Sequence, residues 1–409
     1  MSAGWGWVDF STNDRNRISA IMSLLREQGI LDELGIGVLR DAISDQLFPG
    51  LSTIQTRAKY FLFTPVIVRK YFHGEKEEPL PKYFARLEEE FLESMAAAYR
   101  KNRDETGIFA VTLKHARDLQ TRPSSIYWNG QLTLGIMDLG GKRPGLGQYL
   151  AANSQRIENQ AKIAEDDKNA GLQDKTGIFM PKALLDSFRA NSIALNKIEA
   201  KYLKETFTRT LNQKYPDSLL YHSMIDSELT AAMQSEVSDF HEFYAEYFGP
   251  KRSIVREMGS ARMRDLVRLG FNFSHAIYGA LILYNILIQE KIGNEGALDE
   301  FWKEWLAEVN EATLPLDLEL LKQIAPEGKA MTFLTRWLVA VKEGNEKAMR
   351  ELVVDQEFAS KTGRARLKKP SLNPEEFEDW IGMGFQNYRL RQAQTLIRDI
   401  EAGLQNARN

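Results

Sequence analysis

Apolar residues recur at helical spacing along nearly the whole 409-residue chain, and strict period-two alternation is scarce. Spacings of three and four put side chains on one face of a helix, whereas a half-buried strand needs every second residue apolar. Ile18, Ile21, Leu24 and Leu25 make such a face over 15–26, and Gly29 ends it. The same pattern predicts helices over 31–47, 82–100, 107–120, 151–163, 182–214, 219–248, 254–290, 298–310, 316–342 and 387–403. Amphipathic helices without strands must bury their apolar faces against one another, so the expected fold class is mainly α.

Punctuation then sets the organisation. The stretch "EDDKNAGLQDKTG" at 165–177 has the composition of a loop. It predicts an N-terminal region over 1–170 and a C-terminal helical domain over 178–409. Within the latter, the basic stretch near 361–373 reads as an exposed connector. The run "AIYGALILYNILI" at 276–288 is too short to span a bilayer and reads as a buried core helix. The N-terminus "MSAGWGWVDF" lacks the basic and apolar regions of a signal peptide.

Two punctuated helix pairs raise the question of DNA. In "FPGLSTIQTRAKYFLFTP", Pro49-Gly50 is a turn, and Ser52 with Gln55 spells a capping box that predicts a helix over 53–71, kinked at Pro65. In a helix-turn-helix the first residues of the second helix meet base edges. Here those are Thr53, Gln55, Thr56 and Lys59, with Arg57 on phosphate or guanine. The alternative is an αα-hairpin that packs through Ile54, Tyr60 and Phe61.

The second pair spans 114–149. A helix ends near Leu119, "TRPSS" turns the chain, and a helix follows over 124–134. A glycine-rich hairpin would come next. That order is winged-helix-like: Ser124, Ser125, Tyr127, Trp128 and Asn129 would face the groove, with Lys142 and Arg143 on the wing against phosphate. The alternative is a helical hairpin with a buried Tyr-Trp pair. The expected architecture is thus helix-turn-helix or winged-helix-like units with a small β-hairpin, then a helical domain.

Net charge is −3, so any nucleic-acid surface must be a local patch. Two basic stretches offer one: 251–268, and 361–369 with Arg364, Arg366, Lys368 and Lys369. The alternative for the second is a solvated loop offset by the following "PEEFED".

Catalytic chemistry is thinly supplied. No cysteine is present, which removes disulfides, thiol nucleophiles and cysteine-bound metals and fits a reducing cytoplasm. None of the five histidines has a second at i+3 or i+4, so no metal pair is expected. "GGKRPGLG" lacks P-loop spacing, and no nucleophile elbow appears. Asn272, Ser274, His275 and Tyr278 read as hydrogen-bonded packing at one end of an apolar helix. No cofactor, metal or membrane is expected.

"GWVDFS", "STIQTRAKYFLFTP", "RPSSIYWNGQLTLGI", "FNFSHAIYGALILYN" and "NYRLRQAQTLIRDIEAGL" together resemble a bacterial family catalogued as domain of unknown function 6361. The resemblance implies a setting beside helicase and phospholipase-D-like nuclease genes in defence regions. It supplies no catalytic residues. The expected function is a non-enzymatic DNA-binding or scaffolding subunit of a multi-protein anti-phage system, with duplex DNA and a helicase or nuclease as partners. The alternative is an adaptor that binds such proteins without touching DNA.

Overall fold

A computed structural model describes residues 32–74, 78–101, 106–166, 176–249, 259–312, 316–377 and 380–406. The expected helix over 15–26, most of the 165–177 loop and the 251–258 part of one basic stretch lie outside them. The helices in chain order are α1 Gly37–Leu47, α2 Phe63–His73, α3 Leu80–Tyr99, α4 Pro123–Thr133, α5 Leu146–Asp166, α6 Lys182–Ser187, α7 Lys197–Lys214 and α8 Leu219–Ile225. They continue as α9 Ser227–Gln234, α10 Phe240–Tyr247, α11 Ala261–Lys291, α12 Asp299–Ala312, α13 Leu318–Ile324, α14 Lys329–Lys342, α15 Glu346–Lys361 and α16 Leu390–Gln405.

The chain is mainly helical. The expected hairpin and wing do not form: among the described residues the only pairing of β type is an isolated bridge between Met137 and Ile178. The reason is local. Gly140 and Gly141 both take positive φ and turn the chain straight into α5, so no returning strand exists.

Capping groups explain most boundaries. The expected long helices over 182–214, 219–248 and 316–342 are each divided. Asn196 and Glu199 form a reciprocal capping box that starts α7 afresh. Ser218, Asp226 and Asp239 open α8, α9 and α10 by accepting from backbone amides, and Asp317 does so for α13. The expected helix over 107–120 is instead a run of turns ending in a 3-10 turn at Ala116–Asp118. α15 was not expected at all; Asn345 caps it.

Contacts divide the chain into two units, each assembled from two stretches of sequence rather than cut near residue 170. The larger comprises Ser44–Val267 and Asn387–Asn409. Its core is aromatic: Phe61 meets Tyr127 and Phe207 edge-on, and Phe63 meets Phe91 and Phe188 the same way. α16 buries Leu390, Ala393, Leu396, Ile397 and Ile400, a three-four repeat that packs on α7. Gly130 of α4 is required here, because a Cβ would lie 2.5 Å from the Gly50 carbonyl.

The smaller unit comprises Met1–Ile43 and Arg268–Gln386. Its centre is the apolar stretch of α11, 276–288, which is buried apart from Tyr278 and Leu287 flanks. α11 as a whole is long and apolar enough to cross a membrane, but 78% of its most apolar window is buried inside the protein. Trp305 and Trp337 each donate an indole N–H to an α11 carbonyl, at His275 and Ala276, both at 2.9 Å. Gly279 makes room for that: a Cβ there would meet the Trp305 ring at 2.2 Å. Each such buried ring contributes roughly 1.5–3 kcal/mol of apolar transfer.

Candidate functional site

The segment 51–63 carries the first set of expected DNA-reading residues. It is not a helix at its start. Residues 55–57 have no regular secondary structure, with Arg57 extended, a 3-10 turn covers Ala58–Leu62, and α2 begins at Phe63. Pro65 therefore sits in the first turn of α2, where no amide partner is needed, and begins a helix instead of kinking one. The Ser52 amide does donate to Gln55 Oε1 at 3.3 Å, so half of the capping box forms, but it closes a turn.

Four polar side chains of this segment, those of Gln55, Thr56, Arg57 and Lys59, have internal partners. Lys59 Nζ lies 2.6 Å from Glu199 Oε1, with side chains 1% and 0% exposed. It also sits 4.5 Å from the centroid of the Phe188 ring. Burial pulls the Lys59 ammonium below its ordinary pKa, and Glu199 opposes that pull. Arg57 grips Asp399 of α16 through Nε at 3.0 Å and Nη2 at 2.9 Å, while the Ala58 amide donates to the same carboxylate at 2.8 Å. The Tyr127 hydroxyl accepts from the Thr56 and Arg57 amides at 2.7 and 3.0 Å and contacts the Arg57 carbonyl at 3.0 Å. Burial pushes that phenol up to about 12, so it remains protonated. Gln55 is buried, and its amide reaches the Gly50 carbonyl at 3.3 Å. Thr56 donates to the Gly107 carbonyl at 2.8 Å. Of this set only Thr53 is exposed, and its carbonyl accepts from Gln392 at 3.0 Å.

The second set divides. Ser124 and Tyr127 are buried, and the Ser124 amide donates to the buried Glu88 at 3.0 Å. Burial raises the Glu88 carboxyl; the Ser124 hydrogen bonds and Arg122 counteract it. Trp128 is buried beside Tyr149, their centroids 5.1 Å apart, and its indole donates to the Pro144 carbonyl at 2.8 Å. That is the buried Tyr-Trp arrangement, with Tyr149 as a further partner. Ser125, Asn129, Lys142 and Arg143 are exposed, and Arg143 donates to Asn129 at 2.9 Å and Thr133 at 3.2 Å.

The basic stretch 361–369 folds onto its own unit. Lys361 and Arg366 both pair with the fully buried Glu33, the latter at 2.7 Å. The Tyr284 hydroxyl lies 3.2 Å from Glu33, Glu357 and the Arg366 Nη1 atom. The Arg366 and Leu367 amides both donate to Glu357 at 2.8 Å. Lys368 pairs with Asp355 at 3.3 Å and lies over Phe358. Arg364 and Lys369 are exposed. The connector is exposed at 362–364, 368–371 and 373, as expected, and is fastened like a strap through two buried carboxylates.

One cluster has the elements of a hydrolytic triad. Ser260, Asp217 and His222 lie together, but Ser260 Oγ donates to Asp217 at 2.6 Å and accepts from the Met263 amide at 3.0 Å. His222 Nε2 faces the Ser260 backbone amide at 3.4 Å rather than the hydroxyl. The arrangement caps α11, and the imidazole that would activate the serine in a triad is not on its hydroxyl. Among the described residues, no group of three or more His, Asp or Glu side chains is placed to hold a metal ion.

Sequence reading did not foresee Glu199, Asp399, Glu33 or Glu357 as partners. Only the spelled capping box at Asn196–Glu199 could have flagged one of them. The geometry defines a mainly helical protein in which Arg57, Lys59, Lys361 and Arg366 are fixed by internal carboxylates. The chain belongs to the family of unknown function DUF6361, whose match covers residues 2–296. No curated protein and no solved structure matches it.

Proposed function

We propose that this protein is a non-enzymatic scaffold that joins other proteins of a bacterial, cytoplasmic anti-phage assembly, with a helicase or nuclease among its partners. The observation that carries this reading is the internal use of Arg57, Lys59, Lys361 and Arg366. A cation fixed on a buried carboxylate is poorly placed to release counterions from a phosphate backbone. The adaptor reading, without DNA contact through those residues, therefore has the better support.

A second reading keeps duplex DNA. Ser125 and Asn129 lie one turn apart on α4, beside Lys142 and Arg143, and all four are exposed. They are part of the expected interface that remains exposed, as are Thr53, Arg364, Lys368 and Lys369.

Co-expression with a candidate helicase or nuclease partner, using wild type and K142E/R143E, separates the readings. Co-purification that survives charge reversal supports the scaffold. Salt-sensitive duplex binding by wild type that the double variant loses would restore the DNA reading.

A further inference from the structure

Five rings of the smaller unit stand in a ladder. Phe271, His275 and Tyr278 fall at i, i+4 and i+7 on one face of α11. Phe385, from the segment 380–386, lies 3.9 Å from the Tyr278 centroid at 23° and 6.5 Å from His275 at 17°. Trp380 stacks beyond Tyr278 at 5.8 Å, and Phe271 stacks on His275 at 6.4 Å. His275 is buried, while the other four rings keep part of their surface in solvent.

The ladder is preorganised. The Asn285 side chain accepts from the Ile381 amide at 2.7 Å and donates to the Ile381 carbonyl at 3.1 Å. The Gln386 amide donates to Ser274 Oγ at 2.8 Å, and the Trp380 indole to the Met383 carbonyl at 3.2 Å. Rings held this way lose little freedom when something docks on them.

Two carboxylates of α12 flank it. Glu308 of α12 places a carboxylate oxygen 3.7 Å from His275 Nε2 and remains 64% exposed. Glu304, one turn earlier, is exposed, and both carboxylates act on the Tyr278 hydroxyl. Aromatic faces attract cations, and flanking carboxylates add to that attraction.

We propose that this ladder is a docking surface for an arginine-bearing segment of a partner protein. A guanidinium is planar, stacks on aromatic rings and can pair with Glu304 or Glu308 through its edge. A row of partly exposed rings also suits unpaired nucleic-acid bases, but the two carboxylates repel a phosphate backbone. The proposal rests on the scaffold reading and gives the partner its chemistry.

The test is calorimetric titration of the full chain with a nona-arginine peptide, and separately with an oligothymidine strand. Expected is saturable, salt-sensitive binding of the peptide alone, weakened about tenfold, the equivalent of 1.4 kcal/mol, in E304Q/E308Q. W380L should weaken it as well. The two glutamates are exposed, so the first variant leaves the fold undisturbed even if the second does not. Peptide binding unchanged in E304Q/E308Q, no peptide binding by wild type, or preference for oligothymidine overturns the proposal. In co-purification the two ideas fail separately. Partners retained by E304Q/E308Q sink this surface and leave the scaffold standing, whereas partners never retained by wild type sink the scaffold.

Discussion

The segments 51–63 and 122–143 spell similar messages, and the protein uses them in opposite ways. Both place a turn before small polar and basic residues. In the first, Arg57 and Lys59 turn inward onto Asp399 and Glu199. In the second, Ser124 and Tyr127 turn inward while Lys142 and Arg143 stay at the surface. The difference lies in what the rest of the chain supplies opposite each residue. A lysine goes inside only where a carboxylate compensates the loss of water.

Three substitutions test that contrast, in decreasing order of effect. K59M should cost about 3–5 kcal/mol in urea denaturation, since it strands the Glu199 carboxylate in an apolar interior. K59M/E199Q, which removes the charge but keeps an acceptor for the Asn196 amide, should recover most of that loss; if it does not, charge burial is not the cause. R57A should cost about 2 kcal/mol, because Asp399 keeps the Ala58 amide but loses its guanidinium.

The smallest effect belongs to the second segment. The folded pKa of Glu88 is raised, so between its unfolded and folded values the native state holds the extra proton. Its contribution is thus fully present below the unfolded pKa and is lost as pH rises through the folded one. E88Q keeps an acceptor for the Ser124 amide and removes this dependence. Its stability relative to wild type should rise from pH 4 to pH 7, by about 1 kcal/mol or less. A flat difference would mean that Arg122 and Ser124 fully offset the burial of the charge.

The helical class was legible because periodicity is a property of neighbouring residues. α3, α4 and α16 lie close to where their spacing placed them. The breaks in 182–214 and 219–248 carried weaker signals, single Asn, Ser and Asp caps within otherwise helical composition. The wing was misread because Gly-Gly and two cations mark a turn without saying whether a strand follows. The segment 51–63 was misread for a different reason. Ser52 and Gln55 do meet, but Tyr127 captures the next two amides and holds the backbone extended. The function of its cations depended on Glu199 and Asp399, which are 140 and 342 residues away. No local pattern records such a pairing. Likewise, the polar residues at 272–278 were rightly taken as hydrogen-bonded at Ser274, yet the ring ladder needed Phe385 from a distant segment.

The grip of Arg57 on Asp399 also has a meaning in time. A ribosome makes the arginine 342 residues before its carboxylate. Until residue 399 has emerged, Arg57 and the Ala58 amide have no Asp399 to hold, and the face of α7 that α16 covers stays open to water. The larger unit therefore cannot complete its core as it is being synthesised. Its closure waits for the last helix of the described chain, which is laid over what was made earlier.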